Sequence, residues 1–333
     1  MQYTEDALRK GKFILFNTIK GIMYLYDYES KKIEREIRFE REGDNGLGSF
    51  YRMGFLYCND DSIFMYNVKK QTLFLCDAEG KIKDKFDLRP QHLQGPGKAF
   101  PKMSTDSPPF RIGNNFFVHG MSVDPQEDHT KLESFFTLNL EDGQVSTSIS
   151  RPDLYNEGDW GLGFKYNLYA CFNPDRGLFA MGFALDHNIL VTDFSGYTNQ
   201  YLCKSDYFPK RQPYTKKVPT QLIQDEQKNL YSFTTPNYYS LVYDKYHKLY
   251  YRFFIHPLKT EEWVSARGSA PLRYPGVIIM DEHFNKVGEY KLPTRDYISY
   301  FFVNERGLHI ASKEHYSKNE DLLTFNVYKI HNL

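Results

Sequence analysis

One hairpin unit returns along this chain and limits the folds open to it: an apolar strand, a short turn carrying Asp, Asn or Gly, then a more polar strand with alternating character. It appears first as GIMYLYD, YESK, KIEREIRF, where Ile33, Arg35, Ile37 and Phe39 share one face and Glu34, Glu36 and Arg38 the other. Side chains alternate along a strand, so this is the pattern of an outer strand with one wet side. The unit recurs at TLFLCD, AEGK, IKDKFDL; at FFTLNL, EDG, QVSTSIS; at ILVTDF, SG, YTNQYLC; and at GVIIMD, EHFN, KVGEYKL. A sixth copy begins at LLTFNVYKI. The turns lie near Asp27, Asp77, Asn139, Asp193, Asp281 and Lys329, mostly about fifty residues apart, which is the period of a four-stranded propeller blade.

The fold expected is therefore all-β: a β-propeller of six four-stranded antiparallel blades occupying residues 1–333 as one domain. Further strands such as SIFMYN, NNFFVHGM, GLFAMGFAL and LHIAS precede the hairpins. The 27 Tyr and 27 Phe suit strands, and 41% hydrophobic residues supply a core. One region departs from the pattern. Between Asp193 and Asp281, NLYSFTT, YYSLVYD and KLYYRFFIH read as three strands where two are expected, so a seventh, irregular blade is the alternative. The last copy lacks its outer strand, and the N-terminal residues, or residues preceding Met1, are expected to complete that sheet. The ring would then be closed by N- and C-terminal strands, which removes exposed sheet edges.

Lys plus Arg equals Asp plus Glu at 42 each, so no net field draws the chain to nucleic acid or an anionic membrane surface. Cys58, Cys76, Cys171 and Cys203 have no Cys-x-x-Cys spacing and are expected to be buried free thiols. No apolar run of about eighteen residues offers a transmembrane segment, and MQYTEDALRKGK lacks the apolar core of a signal peptide. There is no Gly-x-Ser-x-Gly elbow, no complete Walker loop at Gly95–Lys98 and no dinucleotide fingerprint opening a helix, so no cofactor is implied.

The LYDYESKKIEREI and FLCDAEGKIKDKFDL hairpins, SLVYDKYHKLYYRFFIHP and VIIMDEHFNKVGEYKLP resemble a family of six-bladed propeller proteins of gut bacteria, many of them predicted lipoproteins. The resemblance covers most of the chain. It implies the fold and an exported precursor tethered by a lipidated N-terminus, a location in the periplasm or cell envelope, and no particular activity. No lipobox cysteine or signal stands in this sequence, so tethering would depend on residues outside it.

The longest connections follow the second or fourth strand of a unit: EREGDNGLGS, the stretches from Arg89 to Pro109, Arg151 to Lys165 and Ser205 to Lys217, VDPQEDHTK, and Pro257 to Tyr274. Long loops on a rigid scaffold concentrate binding residues. Trp160 and Trp263 are the chain's two tryptophans, and both lie in such loops, the latter near Arg267, Arg273 and Tyr274. These residues offer stacking platforms for a sugar ring or anchors for a protein, with arginine as an anion clamp. Alternatively each tryptophan plugs its own loop. Asp124, Glu127, Asp128 and His129 cluster hard and borderline metal ligands, but without an EF-hand or zincin pattern a solvated acidic loop is the preferred reading and no metal is expected. Glu157 and Asp159, with His129, are candidate catalytic groups for glycosidic bonds, which need paired carboxylates. Two functions follow: a non-enzymatic module binding a protein or glycan partner through the long loops, or a carbohydrate-active hydrolase or lyase. An enzyme requires an enclosed pocket with converging titratable groups, whereas a binding module presents a broader surface.

Overall fold

A computed structural model describes residues 1–5, 10–89, 100–121, 132–208, 211–214, 226–265, 273–293, 296–312 and 322–330. They form six small antiparallel sheets, the blades of a β-propeller. The first sheet runs β1 (Gln2–Glu5), β2 (Gly11–Asn17), β3 (Ile22–Asp27), β4 (Ile33–Arg38) in spatial order. The second holds β5 (Gly54–Asn59), β6 (Ser62–Asn67), β7 (Thr72–Cys76) and β8 (Ile82–Asp87). In the third, β10 (Phe110–Ile112), β11 (Asn115–Met121), β12 (Glu133–Asn139) and β13 (Val145–Ser150) follow one another, and β9 (Phe100–Lys102) adds to β11. The fourth is β14 (Leu168–Asn173), β15 (Leu178–Phe183), β16 (Asn188–Thr192), β17 (Thr198–Leu202). The fifth is β18 (Asn237–Asp244), β19 (Leu249–Ile255), β20 (Pro275–Met280), β21 (Lys286–Lys291), and the sixth shows β22 (Asp296–Asn304), β23 (Gly307–Ser312) and β24 (Phe325–Tyr328).

The recurring hairpin is the third and fourth strand of each of the first five sheets. Its turn residue acts the same way each time: the Oδ1 of Asp77 accepts from Glu79 N and Lys81 N, that of Asp193 from Ser195, Gly196 and Tyr197 N, and that of Asp281 from His283 and Asn285 N. A side-chain carboxylate thus satisfies backbone donors that a tight turn leaves unpaired, which is why Asp marks the repeat. The polar strands β4, β17 and β21 are largely exposed, while β15, β20 and β23 are buried throughout.

The chain divides into two compact units, Met1–Gly120 with Phe135–Ser148, and Met121–Ser134 with Ile149–Leu333. In the first, Ile14, Met23, Ile63, Met65 and Cys76 sit at the centre of one core cluster and Phe64, Phe116 and Phe136 in another. In the second, Tyr238, Tyr250, Phe254 and Ile278 pack with Ala180 and Val191, and Phe253 and Ile310 lie in a neighbouring cluster.

Three expectations are corrected. NLYSFTT is not a strand: all but its last residue belong to helix α1 (Glu226–Thr234), so the described residues between Asp193 and Asp281 hold no surplus strand and the blades number six. The strand-like composition is overridden by EQK at the helix start and by docking of Ser232, fully buried, on the Gly161 loop. Gln2–Glu5 does not complete the last sheet but pairs with β2 as an edge of the first, while the described strands of the last sheet are β22, β23 and β24. Cys76, Cys171 and Cys203 are buried free thiols, but Cys58 is exposed, because β5 leaves its sheet's core over its final two residues.

Candidate functional site

The described part of the second unit gathers most of the sequence-predicted residues around three connections. The chain from Arg151 to Asn167 forms two 3-10 turns, Asp153–Asn156 and Gly163–Tyr166. Trp160 lies between them and is 2% exposed; its Nε1 donates to Leu154 O and its backbone N to the Tyr166 hydroxyl. Trp160 therefore holds its own loop together. Gly161, at φ +97°, carries no side chain because a Cβ there would stand 2.3 Å from Ser232 Oγ, the hydroxyl that accepts from Leu162 N. That contact seats α1 on the loop.

Of the candidate carboxylates, Glu157 is exposed and Asp159 is buried. Asp159 accepts from Gly161 N and from Lys228 Nζ of α1, both at 2.8 Å. The ion pair neutralises it, so Asp159 fastens the helix and the two acids occupy different environments. His129, Asp124, Glu127, Asp128 and Arg267 lie outside the described residues. Among the described residues no group of His, Cys, Asp and Glu is placed to hold a metal.

Trp263, Arg273 and Tyr274 meet differently. Trp263 sits on helix α2 (Thr260–Ser265), half-buried, and stacks on Phe233 of α1 with ring centroids 4.8 Å apart. Arg273 lies over the same Phe233 at 5.1 Å and over Phe164 at 5.6 Å. Its Nη1 is buried and has no hydrogen-bond partner among the described residues. Burial lowers the Arg273 guanidinium to about 10. Nearby Lys165 is fully buried, its Nζ donating to Thr235 O, Thr235 Oγ1 and Pro236 O; burial, then the charge of Arg273, holds it well below the usual lysine range. Arg273 and Lys165 thus both lie against the Phe164 ring, and Arg273 also against Phe233. Tyr274 is 40% exposed, Lys291 Nζ stands 3.8 Å from its ring centroid, and its carbonyl accepts from His256 N.

Sequence reasoning missed Phe164, Phe233, Tyr207, His256 and Lys291. Tyr207, in the Ser205–Lys217 connection, is 49% exposed and packs edge-on to His256 at 4.6 Å. The His256 Nε2 is buried with no partner among the described residues. Tyr207 could have been found by the criterion that found the tryptophans, a large aromatic in a long connection. Phe233 was hidden by reading its segment as a strand.

A model of a domain of unknown function, DUF4221, matches residues 2–291. The chain belongs to the DUF4221 family. A crystal structure of a DUF4221 member from Bacteroides vulgatus superimposes with a TM-score of 0.76 at 21% identity, covering 99% of this chain and 92% of that one. A candidate exported protein of Bacteroides fragilis aligns with a TM-score of 0.54 at 10% identity, over 93% of this chain and 80% of that one. No curated protein matches the sequence. At these identities the DUF4221 likeness carries the propeller fold. Among the described residues of this DUF4221 chain, no helix is long and apolar enough to cross a membrane.

Proposed function

We propose that this propeller is a non-enzymatic binding module that recognises a glycan or protein partner through the long connections of its second unit. The observation that carries this reading is that the β19–β20 connection carries both Trp263, half-buried and stacked on Phe233 with the buried Arg273 against that same ring, and Tyr274, 40% exposed with the exposed Lys291 over its ring. Aromatic rings positioned by packing beneath them bind at low entropic cost, and arginine adds specificity for an acidic group. A glycan is favoured over a protein because the rings offered are the exposed Tyr274 and a half-buried tryptophan, with the charged Lys291 and Arg273 against the rings beside them. The catalytic alternative loses support from the pairing of Asp159 with Lys228.

The module is further proposed to work outside the cytoplasm, tethered by a lipidated N-terminal segment beyond this sequence. Support comes from the resemblance in its hairpins and from the name of the Bacteroides fragilis neighbour. Binding to a glycan microarray tests the site: Trp263→Ala and Tyr274→Ala are expected to lower retention about tenfold each, the usual weight of one buried aromatic contact. Unchanged retention in both variants would refute it.

A further inference from the structure

A cavity of about 470 Å³ lies within the second unit, and its lining includes none of Trp263, Arg273 and Tyr274. Its floor follows from strand register. Met181 on β15 pairs with Leu190 on β16, which pairs with Gln200 on β17; two residues along β15, Phe183 pairs with Leu168 on β14. Side chains two apart on a strand share a face. Leu168, Met181, Phe183 and Leu190 therefore make an apolar floor, with Gln200 and Asn188 at its margin. Between Met181 and Phe183, Gly182 is directed to the opposite face, where a Cβ would stand 2.9 Å from an Arg252 nitrogen, so the floor is braced from behind.

The facing wall is the segment Ile149 to Asp153. Ile149 adopts φ +63°, a left-handed conformation that costs a β-branched residue on the order of 1–2 kcal/mol. Strain of this kind persists where the surrounding structure requires it, and here it turns the chain so that Arg151 and Asp153 meet the cavity. Arg151 is 3% exposed and lies against the rings of Tyr155 and Tyr166. Asp186, on the floor side, faces Arg211 at 3.8 Å. The charges of Arg151 and Arg211 thus offset those of Asp153 and Asp186. An apolar floor with a few convergent polar groups, at a volume within the range of about 300–1,000 Å³ for small-ligand sites, is the make-up of a binding pocket.

We infer that this cavity binds a small neutral polyhydroxylated molecule, a mono- or disaccharide, whose ring lies on Leu190, the accessible part of the apolar floor, while its hydroxyls meet Asn188, Gln200 and the carboxylates. A balanced set of donors and acceptors selects hydroxyl groups, and the absence of surplus positive charge disfavours an anion. The residues differ from those of the proposed partner surface, so either reading can fail without the other.

Saturation-transfer NMR with millimolar D-glucose, D-galactose, N-acetyl-D-glucosamine and cellobiose, and with D-glucuronate as the anionic probe, tests it. At least one neutral sugar is expected to receive saturation. Asn188→Leu and Gln200→Leu should each weaken that binding about tenfold or more, because a lost hydrogen-bonding partner leaves a sugar hydroxyl unpaired. Ser150→Trp, placed at an exposed position on the wall, should abolish it without touching the core, whereas Trp263→Ala should leave it unchanged. No signal from any neutral sugar, a response to glucuronate alone, a signal that survives Ser150→Trp, or one lost in Trp263→Ala would each overturn the inference.

Discussion

Arg252 on β19 is 1% exposed and has no carboxylate partner among the described residues. Its Nη1 donates to His187 O at 3.1 Å and Cys203 O at 3.0 Å, its Nη2 to Phe183 O at 3.2 Å and Asp186 O at 2.7 Å, and its Cζ lies 3.6 Å from the Tyr238 ring centroid. One side chain of the fifth sheet thus closes backbone acceptors at the ends of β15 and β17 and in the turn before β16. Hydrogen bonds from a charged donor contribute roughly 1.5–3 kcal/mol each, about 6–12 for four, and desolvating the guanidinium returns several kcal/mol. The net loss expected for Arg252→Ala is about 4 kcal/mol, in the range measured when one partner of a buried charged network is removed. With a urea slope of about 3 kcal/mol/M, the unfolding midpoint should fall by about 1.3 M with the slope unchanged. Arg252→Lys keeps the charge but offers a compact head in place of a planar fork, and should lose about half as much. A midpoint within about 0.3 M of wild type for Arg252→Ala would refute the clamp, since a loss under 1 kcal/mol is what a surface residue costs.

Two further predictions follow from the same unit. Burial first, then the charges of Arg211, Lys204 and Arg252, lower the His187 pKa from 6.5 to about 4. The unfolded chain then binds more protons than the folded one between those values, so stability is full above pH 6.5 and falls as pH drops towards 4. Discounted for solvent screening, the loss should be on the order of 1–2 kcal/mol, and His187→Gln should flatten it in denaturation curves taken across that window. A wild-type curve level from pH 6.5 to 4 would contradict this. Gly161→Ala adds a Cβ against Ser232 Oγ at a φ of +97°, and should cost about 2–3 kcal/mol while raising hydrogen exchange in α1; unchanged exchange there would show that α1 does not depend on the loop.

The blades were legible because the hairpin repeat encodes both their elements: Glu34, Glu36 and Arg38 mark a wet face, and Asp77, Asp193 and Asp281 supply turn acceptors. Helix α1 was not, because Tyr231, Phe233 and Thr234 carry strand propensity and the helix is fixed by tertiary contacts, Ser232 on Gly161 and Phe233 against Trp263. Trp263, Arg273 and Tyr274 were legible as candidates from loop length, but Trp160 in a similar loop turned inward, where its indole N–H found Leu154 O. The cavity left no local signal, since its floor depends on register across β14 to β17 and its wall on one residue, Ile149, at a positive φ. Arg252 did leave one: an arginine inside LYYRFFI is a charge in a buried strand, and such a charge needs acceptors.

The most direct test of a non-catalytic binding role is to incubate the protein with a panel of soluble glycans and follow retention and new reducing ends together. The account predicts retention that falls in Trp263→Ala and Tyr274→Ala, with every retained glycan recovered intact. Release of reducing ends or unsaturated products that is lost in Asp159→Asn, with that variant still folded, would contradict it and make the propeller an enzyme.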